Sequence, residues 1–150
     1  MDNLTTVELY TDGACSGTRG RGGWAGVMIC GNVEKEIYGF EDATTANAME
    51  LRAAIEGLKC LKFPCKVTLY SDSQLVVRGM NDWLKLWKAR GWRKANNKSV
   101  AHAELWQELE QAARPHDVTF EWIRGHDGNH YNELADSLAY SAMEDMKVSR

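Results

Sequence analysis

Three strand-like segments open the chain before any helical pattern occurs, and helical patterns then alternate with two more strands. No other property constrains the fold as much as this order. Val7–Asp12 alternates apolar and polar side chains and ends at Gly13, the period of a half-buried strand. A glycine-rich stretch, Gly13–Gly23, leads into Trp24–Cys30, and Gly31-Asn32 joins that run to Glu34–Phe40, so the spacing predicts a three-strand antiparallel meander. Thr44 and Thr45 offer N-cap hydroxyls to a helix marked by Leu51, Ile55, Leu58 and Leu61 and stopped by Pro64. Lys66–Tyr70 is a fourth strand, Ser71-Asp72-Ser73 a capping turn and Gln74–Met80 a short helix. Ala101, Leu105, Leu109 and Ala112 mark another helix ended near Pro115, and Val118–Arg124 is a fifth strand. Tyr131, Leu134, Ala135, Leu138, Ala139 and Ala142 share one face of a last helix. Helices crossing between the later strands imply an α/β layer fold with a mixed sheet, whose functional groups gather at the ends of the parallel strands.

With 150 residues, 44% of them apolar, and only two prolines, the chain is too hydrophobic to be disordered and is the size of one domain that needs no disulfide staples. We expect a single domain over 1–150, with a core from about 7 to 142 and a C-terminal tail over 144–150 that carries no motif. The longest apolar run, Trp24–Cys30, is seven residues, far short of the ~20 that span a bilayer. Met1–Thr6 lacks the basic and apolar regions of a secretion signal, so a cytoplasmic protein with Cys15, Cys30, Cys60 and Cys65 as reduced thiols is expected.

The net charge of −3 hides a segregation. Between Trp83 and Lys98 lie Lys85, Lys88, Arg90, Arg93, Lys94 and Lys98 and no acid, which leaves 12 bases against 21 acids elsewhere, or −9. Trp83, Trp87 and Trp92 are interleaved with these cations, a pattern suited to phosphates and flat nucleotide surfaces. An amphipathic helix whose tryptophans belong to the core fits the same residues.

Four acids stand where a solvated surface residue is not expected. Asp12 and Asp72 end strands, Glu50 begins the first long helix, and Asp136 adjoins the apolar stripe of the last. Taken singly, each is ordinarily a surface or capping residue. Converging in one cleft, they would repel and raise one another's pKa unless a cation intervened. Oxygen ligands without a neighbouring Cys or His favour Mg²⁺ or Mn²⁺ over zinc.

The combination Tyr10-Thr11-Asp12-Gly13, Met49-Glu50-Leu51, Ser71-Asp72-Ser73-Gln74, the Trp83–Lys94 segment, Gly125-His126-x-Gly128 and Asn132-Glu133-x-Ala135-Asp136 resembles bacterial ribonuclease HI, the type 1 ribonuclease H family. The motifs run in family order over almost the whole chain. The resemblance implies a ribonuclease H-like fold, a five-stranded mixed sheet with its first three strands antiparallel and helices on both faces. It also implies an endonuclease that hydrolyses the RNA strand of RNA–DNA hybrids with little sequence specificity, leaving 5′-phosphate and 3′-hydroxyl ends. Asp12, Glu50, Asp72 and Asp136 would bind two Mg²⁺ ions, with Mn²⁺ as a substitute, and His126 would assist proton transfer and product departure. Cys15, Asn47 and Gln74 would follow the RNA minor groove, Thr45 a DNA phosphate, and Trp83 and Trp87 the DNA sugars. Trp92 with Lys88, Arg90, Arg93 and Lys94 would complete the basic handle over 83–98. A monomer without an obligate protein partner and without membrane association is implied.

The chain departs from the family pattern at Ala43, Ala46 and Ala48, where arginine and asparagine are usual, and at His102, usually asparagine. Arg19 and Arg21, in a glycine loop that differs from the usual one, are expected to supply the lost backbone contacts. Gly20-Arg21-Gly22-Gly23-Trp24-Ala25 imitates a dinucleotide fingerprint, but that needs a helix next, and Trp24–Cys30 is a strand. A relative acting on DNA, such as a resolvase or integrase, or a silent hybrid-binding module are the competing functions; the full set of four acids with His126 and the handle argues against both.

Overall fold

The structure, a computed structural model, describes residues 4–148, with side chains as far as residue 144. The element order is β1 (Thr5–Cys15), β2 (Gly20–Cys30), β3 (Val33–Thr44), α1 (Ala46–Lys59), β4 (Cys65–Ser71), α2 (Gln74–Arg78), a π-helical turn (Gly79–Trp83), α3 (Leu84–Ala89), α4 (Ala103–Ala113), β5 (Asp117–Trp122) and α5 (His130–Val148). One five-stranded sheet has the order β3-β2-β1-β4-β5. β1, β2 and β3 pair antiparallel, whereas β4 runs parallel to both β1 and β5.

Alternation along the strands divides the core. Val7 and Leu9 of β1 and Val67 and Leu69 of β4 point to the face covered by α1 and α4, where Leu51, Ile55, Leu58, Trp106 and Leu109 are buried with them. The opposite face carries Tyr10 and Tyr70, stacked at a centroid distance of 4.6 Å, and is roofed by α5 through Ala135, Leu134 and Leu138. By the same parity Asp12 and Asp72 lie on the α5 side, and the parallel pairing Thr11↔Ser71 sets them next to each other just where that pairing stops; Asp12 lies within β1, which pairs on with β2 as far as Cys15, and does not end the strand as the sequence suggests.

Several boundaries differ from the sequence expectation. The meander strands are longer, because Gly22 and Gly23 pair with Cys15 and Ala14, so the glycine-rich stretch is mostly strand. α1 ends at Lys59, its last turn closed by Cys60 N–H donating to the Glu56 carbonyl, so Pro64 does not terminate it. The start of the handle is helical: α2, the π turn and α3 run without a break. α5 continues to Val148, so most of the expected tail is helix; Ser149 and Arg150 lie outside the described residues. Cys15, Cys30, Cys60 and Cys65 are not joined by disulfides. Among the described residues no helix is long and apolar enough to cross a membrane.

Candidate active site

The four acids singled out in the sequence come from four elements and meet at one end of the sheet. Asp12 and Asp72 are brought side by side by the β1–β4 register. Glu50 arrives from the second turn of α1, whose N-terminus Thr45 caps by accepting the Ala48 N–H at 3.2 Å. Gly13 makes that approach possible: a Cβ there would lie 2.5 Å from Glu50 N and 2.6 Å from Met49 C, so only glycine lets β1 pass so close to α1. Asp12, Glu50 and Asp72 each place an oxygen within 4.8 Å of the others. Asp136 joins from α5 as a side-chain hydrogen-bond partner of Asp12, and its charge also reaches Asp72.

This crowding is costly. Burial, then the Asp72 charge and the hydrogen bond with Asp136, push the Asp12 carboxyl from 3.8 up to about 8. Glu50 is lifted well above the usual carboxylate range by burial and by the charges of Asp12 and Asp72. Asp72 is raised by burial, against a hydrogen bond from Asn132 and the charge of His126, which lower it. Glu50 Oε1 is buried and has no hydrogen-bond partner among the described residues. An orphaned carboxylate oxygen among acids that resist ionisation is what a hard divalent cation would relieve, and the donors are all oxygen. The residues therefore fit Mg²⁺ or Mn²⁺.

Several supporting residues escaped the sequence analysis. Asn132 is buried at the start of α5 and hydrogen-bonds Asp72; its place in the Asn132-Glu133-x-Ala135-Asp136 motif was the only signal. Gly125 abuts the same carboxylate, since a Cβ there would meet Asp72 Oδ2 at 2.6 Å. Trp122 Nε1 donates to the Asp72 carbonyl at 3.1 Å. His126 is exposed in the β5–α5 loop with a left-handed backbone, φ 57.

The expected substrate residues divide between those that face solvent and those the fold uses itself. Asn47, Trp83, Trp87, Arg90 and Lys94 line one groove of about 440 Å³ with His102. Thr45 Oγ1 lies 3.5 Å from His102 Nε2, so the position that departs from the family pattern does adjoin the capping threonine. Gln74 is exposed at the first residue of α2, and Cys15 is half-buried with Sγ 3.5 Å from the Thr44 carbonyl. Trp92 is turned inward: it packs with Trp87 against the buried core, and Trp87 meets Trp106 at a centroid distance of 5.1 Å. The core alternative thus holds for Trp92 and for part of Trp87. Lys88 pairs with Glu110 of α4, and Arg93 Nη1 donates to the Asn97 carbonyl at 3.0 Å, so both cations serve the handle's own structure. Arg19 is exposed, whereas Arg21 is half-buried with its Nε enclosed and without a hydrogen-bond partner among the described residues.

A mixed sheet of this order, with carboxylates clustered at the ends of its central parallel strands and a basic groove alongside, defines the ribonuclease H-like class of α/β domains. The RNase H family profile matches residues 4–144, and the chain belongs to that family. A ribonuclease H from Cupriavidus necator is 51% identical over 141 residues, covering 94% of this chain and 97% of the relative. One from Hydrogenovibrio crunogenus is 52% identical over 143 residues, covering 95% and 99%. Among solved structures, LC9-RNase H1, a type 1 RNase H with the type 2 active-site motif, superposes with a TM-score of 0.88 at 31% identity over 97% of this chain and 75% of that one.

Proposed function

We propose that the chain hydrolyses the RNA strand of RNA–DNA hybrids at phosphodiester bonds, with Asp12, Glu50, Asp72 and Asp136 holding two divalent ions. The observation that carries this is the convergence of three carboxylate oxygens within 4.8 Å beside the orphaned Glu50 Oε1, in a chain of the RNase H family. Ions bound there would neutralise the carboxylates, acidify a water and offset charge on the leaving oxygen. Asp12 and Asp72, fixed by the β1–β4 register, present oxygens in one direction, and Asn132 orients Asp72 by hydrogen bonding. His126 gives a proton to the departing 3′ oxygen, leaving 3′-hydroxyl and 5′-phosphate ends.

The basic groove takes the DNA strand, Trp83 and Trp87 against its sugars and Arg90 and Lys94 on its phosphates. Thr45 with His102 holds a further DNA phosphate. Gln74, Asn47 and Cys15 meet the 2′-hydroxyls and minor groove of the RNA, so contacts run to sugar and phosphate and sequence selectivity is low. The chain acts as a monomer.

One assay tests the proposal: labelled RNA–DNA hybrid, duplex DNA and duplex RNA are incubated with Mg²⁺ or with chelator. Cutting of the RNA strand in the hybrid alone, and only with metal, is expected. Cutting of duplex DNA would make it a DNA nuclease of the same fold, and binding without cutting a silent module.

A further inference from the structure

The helix formed by α2 and its π turn separates two grooves. Leu75, Trp83 and Trp87 face the basic groove described above. On the other side Gln74, Val77, Arg78, Asn81 and Asp82 enclose, with Trp122 at the end of β5, a second groove of about 290 Å³. Apart from Gln74, none of these residues has a part in the hybrid contacts proposed so far.

Trp122 is 43% exposed yet fixed in place by the hydrogen bond from its Nε1 to the Asp72 carbonyl. Asn81 Nδ2 donates to the Phe120 carbonyl at 3.1 Å, fastening the helical wall to β5 two residues before the indole. An open aromatic face held by its own polar edge is a preorganised stacking platform. Arg78 is exposed and forms no ion pair among the described residues, so its charge is available to an anion. Gln74 and Asp82 add an amide and a carboxylate, the groups that can satisfy a hydroxyl as donor and acceptor. The hydrogen bond from Trp122 to the main chain of Asp72 sets one wall of the groove beside that carboxylate residue.

We infer that this groove is a second subsite for the RNA strand, occupied by nucleotides next to the phosphate held at Asp72. Trp122 stacks on a ribose or base, Arg78 holds a backbone phosphate, and Asp82 accepts a hydrogen bond from a 2′-hydroxyl. A deoxyribose strand would leave Asp82 beside the backbone with nothing to accept, so the groove favours RNA. The inference rests on the hybrid reading above.

The test uses the full chain in two assays. In steady-state cleavage of a hybrid, Arg78→Glu raises KM about fivefold and lowers the slope of log KM on log salt by about one. Trp122→Ala raises KM about tenfold, and Trp122→Phe, which keeps a ring, recovers most of it. In the second assay the Asp12→Asn variant binds hybrids, followed by fluorescence anisotropy, in which a single 2′-deoxy substitution is walked along the RNA strand. One position next to the cut weakens binding several-fold, and adding Asp82→Ala removes that sensitivity. Unchanged KM and salt slope in Arg78→Glu and Trp122→Ala, or a 2′-deoxy scan that Asp82→Ala does not alter, would overturn the subsite while hybrid cleavage by the unaltered chain stood. An unaltered chain that cuts no hybrid would overturn the hybrid reading instead, and the anisotropy scan would still decide the subsite.

Discussion

Replacing Asp12 with asparagine should stabilise the metal-free protein as it abolishes turnover. In the fold the Asp12 carboxyl is held at about 8 against 3.8 for the free group, so between these values only the folded chain keeps the proton. Stability from this group is fully present below pH 3.8 and is lost as pH rises towards 8. At pH 7, about three pH units lie above the unfolded value, and at ~1.36 kcal/mol per unit the penalty is about 4 kcal/mol. Asn carries no such penalty, although its amide must still be accommodated among acids, so a gain of about 2–3 kcal/mol is expected at pH 7 and almost none at pH 4. For a domain of this size that is a Tm rise of about 5–10 °C at pH 7. Thermal unfolding in chelator at the two pH values measures it, with Mg²⁺ then raising the Tm of the unaltered chain more than that of the variant. Equal stabilisation at pH 4 and pH 7, or none at pH 7, would refute the crowding argument.

The remaining predictions concern neighbouring parts of the site. Arg90→Ala with Lys94→Ala should raise KM for hybrid nearly as much as removing Lys88 and Arg93 as well, because Glu110 and the Asn97 carbonyl already occupy those two; steady-state kinetics of both combinations decides it. Asn132→Ala removes a hydrogen bond that lowers the Asp72 pKa, so the acid limb of kcat/KM should move to higher pH, with about a tenfold loss at pH 6 that narrows at pH 8.5. Gly13→Ala puts a Cβ 2.5 Å from Glu50 N and should lower stability by about 2–3 kcal/mol, read as a lower urea midpoint at unchanged slope.

Much of the fold was legible because it rests on local periodicity. The alternation in Val7–Asp12 and the helical spacing of Leu51, Ile55 and Leu58 are burial patterns, and burial decides these elements. The end of α1 was misjudged because Pro64 is visible in sequence, whereas the turn actually closed by Cys60 is not. The tryptophans were ambiguous for a related reason: an indole near a cation looks the same in sequence whether its ring meets solvent or, like Trp92, the core beside Trp87. Trp122 and Asn132 were missed as supports because each acts on Asp72 across long sequence separations, and no spacing rule reports such a pairing.

The sequence alone determined the element order, the polarised charge and the four acids in their motifs, since side-chain chemistry and periodicity are properties of the chain itself. Tertiary structure decided which of these act together. Parallel registration of β1 with β4 aligns Asp12 and Asp72, Gly13 admits α1 and with it Glu50, and burial raises the cost of their charges until a cation is the natural complement. It also decided which handle cations remain free, because an ion pair forms only where two elements meet, as Lys88 and Glu110 do between α3 and α4.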